Sequence, residues 1–91
     1  MKVYEFFKSH GPAAWCQGQS AIGEDGRWAG YDSPKAVAWC LAGRIWVEYG
    51  NDHKRVERRV FDLLGRRESV AEYNDTHAFE EVLEFCLVNG I

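Results

Sequence analysis

The sequence predicts a mainly α fold: a small single domain, residues 1–91, of three to four helices around a buried central helix (34–49). One irregular loop or short β-hairpin insert is expected at about 15–31. Three observations carry this. Ser33, Pro34 and Gly50 are a helix N-cap, a first-turn proline and a C-terminal glycine around SPKAVAWCLAGRIWVEYG, which has almost no polar face. Residues 53–67 and 76–89 repeat apolar side chains at helical spacing. Residues 13–32 hold four of the nine glycines and no helical period.

In chain order, Val3, Phe6 and Phe7 form the apolar side of a first short helix, which His10-Gly11-Pro12 ends. In the Gly-rich stretch, a Glu24-Asp25-Gly26 turn would join arms at Gln19–Ile22 and Arg27–Tyr31. A loop crossing one end of the central helix fits as well. Trp15, Trp28 and Tyr31 anchor either form. At about 1.5 Å per residue the central helix would run roughly 24 Å. Asn51-Asp52 then turns into a helix with Val56, Val60, Leu63 and Leu64 as its stripe. The linker 68–76 ends in Asn74-Asp75-Thr76, read as the cap of a last helix in which Phe79, Val82, Leu83 and Cys86 face the core. There is no internal repeat and no low-complexity segment.

Hydrophobic and charged fractions of 46% and 27% are those of an ordered chain. Four Trp, four Tyr and five Phe are many for this length, so aromatic rings dominate the core or line a recognition surface. A net charge of −3 excludes a generally basic nucleic-acid binder. Residues 53–67, however, carry six basic against two acidic residues, a local excess of +4, which leaves −7 on the remainder. The three cysteines have no regular spacing, no secretory signal is evident, and the longest apolar run, Ala36–Ala42, is too short to span a bilayer. A cytoplasmic protein with free thiols and no membrane association is expected.

Four constellations are candidates for chemistry. Cys16 lies in a polar stretch and would need His10 or His77 to become a thiolate; the alternative is a small buried hydrophobe. No Cys or His pair has zinc-ligand spacing, so no metal and no cofactor is expected. Asn74, Asp75 and His77 make either a helix cap or, with Trp15, Cys16, Gln17 and Trp28, the polar wall of a small-ligand pocket. Arg55, Arg58, Arg59 and Arg66 form a basic face, suited to nucleic acid or an acidic protein unless the acidic tail neutralises it.

The segments WCQG at 15–18, DG at 25–26, SPKAVAWCLAG at 33–43 and YND…EVL at 73–83 resemble an uncharacterised family of small bacterial and phage proteins. The resemblance implies a bacterial or phage, cytosolic origin and no assigned activity. Residues 53–67 have no counterpart in that pattern. The leading expectation is a non-catalytic interaction module for a protein or nucleoprotein, acting as an inhibitor of a host system if phage-encoded. A ligand or thiol-enzyme pocket at Trp15–Gln17 and Asn74–His77 is the alternative. A nucleic-acid-associated protein using helix 53–67 is another, and a homodimer burying excess aromatic surface stays open.

Overall fold

A computed structural model describes residues 1–91. The fold is mainly α with one small antiparallel ribbon, as the sequence predicts. Helix α1 (Val3–His10) leads through a 3-10 turn (Pro12–Ala14) to strands β1 (Ala21–Ile22) and β2 (Ala38–Trp39). Helix α2 (Leu41–Tyr49), a second 3-10 turn (Gly50–Asp52), α3 (His53–Leu63), α4 (Val70–Thr76) and α5 (Phe79–Asn89) complete the chain. No helix is long and apolar enough to cross a membrane.

Helix α2 is the post of the domain and packs against α1, α3 and α4. Leu41 and Ile45 are fully buried and meet Val3, Phe6 and Phe7 of α1, Val56 and Val60 of α3, Val70 and Tyr73 of α4, and Phe79, Val82 and Cys86 of α5 in one core. The two ends of the chain close this core together. Buried Ile91 accepts hydrogen bonds at its main-chain oxygen from Val3 N and from the Tyr49 hydroxyl, each 2.7 Å.

The central helix is shorter than the expected 34–49. Residues 33–37 turn instead: Ser33 N donates to Gly30 O, Ala36 N to Ser33 O, and the Ser33 hydroxyl accepts from Lys35 N. Ala38 and Trp39 are strand, and Cys40 is the true cap, its sulfur accepting from Gly43 N at 3.3 Å. A continuous apolar run has no periodicity that separates buried helix from buried strand. The pairing offered by β1 decides it, in the register Ala21↔Trp39 and Ile22↔Ala38.

The expected turn at Glu24-Asp25-Gly26 forms, with Gly23 N donating to Arg27 O and Gly26 adopting φ 77°. Its second arm is a single bridge, Ile22 to Trp28, and Trp15 bridges Trp39 at the other side. Four short segments therefore lie side by side in the order 28, β1, β2, 15. The ribbon is fastened to α2 where Cys40 N donates to Ser20 O at 3.0 Å. Gly43 sits against that carbonyl, and a Cβ there would overlap the Ser20 oxygen.

The stretch read as a linker contains α4. Ser69 and Glu72 cap it reciprocally, Ser69 N donating to the Glu72 carboxylate and Glu72 N to the Ser69 hydroxyl, 3.1 Å each. Asn74, Asp75 and Thr76 therefore end a helix and do not begin one. The last helix starts at Phe79 behind Ala78, whose N–H donates to Glu81.

Candidate functional site

Six of the seven residues expected to wall a pocket do converge. Trp15 Nε1 donates to Asn74 Oδ1 at 2.6 Å, and Leu41 N, at the first turn of α2, donates to the same oxygen at 2.9 Å. Asn74 Nδ2 donates to Cys16 O at 3.0 Å. Gln17 Nε2 donates to the carbonyls of Asn74 and His77 at 3.0 and 3.1 Å, and Gly18 N donates to Asp75 Oδ1 at 2.8 Å. This joins the 15–18 loop, the start of α2 and the end of α4.

The groups that would recognise a ligand are the groups that make these bonds. Asn74 is 0% exposed and its amide is fully engaged. His77 stacks on Tyr73, with ring centroids 4.1 Å apart, and its Nδ1 lies 2.8 Å from Tyr73 O, so the Nδ1–H tautomer is satisfied in place. The nearest hollow, about 190 Å³, lies beside the network against Gly18, Ser20, Cys40, Ala71 and Asp75. The arrangement is a hydrogen-bonded knot that positions the 15–18 loop, and the hollow beside it is bordered by Asp75, whose Oδ1 is taken by Gly18 N.

The thiols follow the same logic. Cys16 is buried, its sulfur 3.5 Å from Gln19 O. Burial, with Cys40 and Asp75 adding to it, pushes its thiol up to about 11. Neither His10, stacked on Phe6, nor His77 is bonded to it. A nucleophile needs the opposite field, one that favours thiolate. Burial pushes Cys86 up to about 12 and raises Cys40 as well. No group of three or more His, Cys, Asp or Glu side chains is placed to hold a metal ion.

Trp28 is the pocket residue that stands apart. It lies at the edge of the ribbon and is 69% exposed. Three residues on, Tyr31 packs on Trp46 at 4.8 Å, and Trp46 stacks on His53 at 3.3 Å between centroids. His53 Nδ1 in turn donates to Glu57 at 2.7 Å. This ladder joins the Trp28 loop to the first turn of α3.

The basic face is exposed along α3 and just past its end. Arg55 pairs with Asp52 at 3.6 Å and Arg66 with Asp62 at 2.8 Å, while Arg59 donates to Asn89 O at 2.6 Å. Arg58 has no ion-pair partner and edges a cleft of about 320 Å³ between α3 and α4, lined also by Ala42, Phe61, Val70 and Ala71. The three Arg–carboxylate ion pairs, like the His53–Glu57 hydrogen bond, each lie within one helical turn. The alternative, that the acidic tail neutralises this face, has no ion pair behind it: Glu72 and Glu81 cap their own helices, Asp75 accepts from Gly18 N, and Glu68, Glu80 and Glu84 pair with no arginine.

One charged side chain is central in a way the sequence reading missed. Arg44 is buried, its guanidinium 3.4 Å from the Phe6 ring centre and 4.6 Å from that of Trp39, with Nη2 on Glu48 at 3.1 Å. Burial lowers its proton affinity, opposed by Glu48, and its Nε has no partner. The i, i+4 spacing of Arg44–Glu48, as of His53–Glu57, is the legible signal for these pairs. No family model matches this chain, and no curated protein or solved structure matches it either.

Proposed function

We propose that this protein is a small, non-catalytic interaction module that binds a protein partner through Trp28 and the basic outer face of α3. The observation that carries the reading is the exposure of Trp28 at 69%, on a loop held by the ladder to the helix that bears the free positive charge. An exposed Trp and exposed arginines are residue types enriched at interface hot spots. The residues that would have made a ligand pocket are engaged with one another, and the thiol that would have made an enzyme is buried and neutral at physiological pH.

The resemblance to small bacterial and phage proteins supports that origin and a cytoplasmic setting, and three free cysteines fit a reducing compartment. In a phage, a module of this kind would act as an inhibitor of a host system. Nucleic acid is the second reading, favoured by four arginines at or near one helix face.

Affinity capture from a nuclease-treated bacterial lysate tests the proposal. A protein retained by the wild type, and lost from both Trp28→Ala and an Arg55→Glu/Arg66→Glu variant, is the expected result. Retention indifferent to both variants rejects it. Tight, steeply salt-dependent binding of a duplex DNA oligonucleotide that needs Arg55 and Arg66 would move the assignment to nucleic acid.

A further inference from the structure

Helices α3 and α5 each carry an exposed stripe of the same length and opposite charge. On α3, Lys54, Arg58 and Phe61 stand at i, i+4 and i+7; on α5, Glu80, Glu84 and Leu87 do. Lys54, Arg58, Glu80 and Glu84 are exposed and form no ion pair within the chain. Each stripe ends in an exposed apolar side chain, Phe61 at 36% and Leu87 at 44%. Val88, at 71%, widens the apolar end on α5, and the cleft floored by Ala42, Val70 and Ala71 widens it on α3.

We infer that a second copy of this chain docks here, the α5 stripe of one copy lying parallel along the α3 stripe of the other. Both stripes rise about 10 Å, so three pairs come into register together: Glu80 with Lys54, Glu84 with Arg58, Leu87 with Phe61. The antiparallel alignment would set Leu87 against Lys54 and Glu80 against Phe61, which strands a charge on an apolar group at each end. The occupant is a second copy because the chain itself supplies the complement in sign, spacing and apolar terminus. Six side chains cover well under the about 800 Å² per partner of a stable interface, so the association is weak and depends on concentration. It goes beyond the proposed partner binding and does not rest on it, since it needs the chain alone.

Sedimentation across a concentration series tests it. At low ionic strength the average mass is expected to climb above the 10.4 kDa monomer with concentration and to fall back in about 0.5 M salt, which screens such pairs. Arg58→Glu and Glu84→Arg should each weaken association by about tenfold or more, since each sets like charges against each other. The two variants change net charge in opposite directions, so a general charge effect moves them oppositely. An equal mixture of the two recovers association, because Glu at 58 then meets Arg at 84. Glu24→Arg, at the 23–26 turn, changes charge as Glu84→Arg does and should leave association intact. A monomer throughout, association that survives both reversals, or a mixture that fails to recover overturns the inference.

Discussion

Trp15 and Asn74, 59 positions apart, are joined by an indole N–H that donates to the Asn74 side-chain oxygen at 2.6 Å. That oxygen also takes the Leu41 N–H, one of the otherwise unpaired donors at the start of α2, while the amide nitrogen closes on Cys16 O. One buried side chain thus satisfies two donors and one acceptor from two segments, the 15–18 loop and the start of α2, and ties both to α4. Removing it leaves those groups unpaired in the interior. Asn74→Ala and Asn74→Leu are both expected to destabilise by about 3 kcal/mol or more, whereas Gln17→Ala, whose bonds lie nearer the surface, should cost about 1 kcal/mol or less. Urea unfolding at constant m-value measures the difference.

Gly43 is required for space. A methyl group there meets the Ser20 carbonyl, which is also the acceptor for Cys40 N. Gly43→Ala raises helix propensity in α2, yet it should destabilise by about 3 kcal/mol, the upper range for overpacking, because backbone and not a mobile side chain must yield. A melting temperature at or above that of the wild type would show that the ribbon does not sit against α2 in this way.

The Arg44–Glu48 pair should show strong coupling. Arg44→Met keeps the packing between Phe6 and Trp39 but leaves Glu48 without its cation; Glu48→Leu does the converse. Each single change is expected to cost about 3 kcal/mol, and the double variant less than either, since a buried pair replaced as a unit is often neutral. Additive costs in the thermodynamic cycle would refute the coupling.

Alkaline pH should weaken the fold through its thiols. Burial holds Cys16 and Cys86 protonated up to about 11 and about 12, against an ordinary 9.0. Between the ordinary and the raised value the unfolded chain has released the proton and the folded chain has not. Stability therefore falls as pH rises through that window, and below it the thiols contribute no pH dependence. Unfolding midpoints should decline above pH 9, less steeply in Cys16→Ala/Cys86→Ala. The remaining slope belongs to Cys40, whose thiol burial also raises, and to Tyr49 and Tyr73, whose phenols it raises as well. An unchanged slope in the double variant would assign none of it to the thiols.

Much of the frame was legible because it is local. Val3, Phe6 and Phe7, or Val56 and Val60, announce their helices by spacing alone, and all five are buried as that spacing requires. The Ser69–Glu72 capping box also stood in the sequence as the signal for α4, within a stretch whose acidic, turn-rich composition suggested a linker. Of the candidate site, the grouping of Trp15–Gln17 with Asn74–His77 was legible. Its use was not, since the same polar atoms serve a ligand or each other depending on distances no spacing encodes.

By itself the sequence determined a mainly helical domain with a glycine-rich insert, the basic character of α3 and the acidic character of the C-terminal third. Those follow from periodicity, turn chemistry and charge along the chain. Tertiary structure alone decided that Ala38-Trp39 is strand, that Asn74 is a buried clasp, that Trp28 faces out while Trp15 faces in, and that the arginines of α3 form no ion pair with the carboxylates of α4 and α5. The strand depends on partners 16 and 18 positions away and the clasp on partners 33 and 59 positions away, and local free energies nearly balance until those partners arrive.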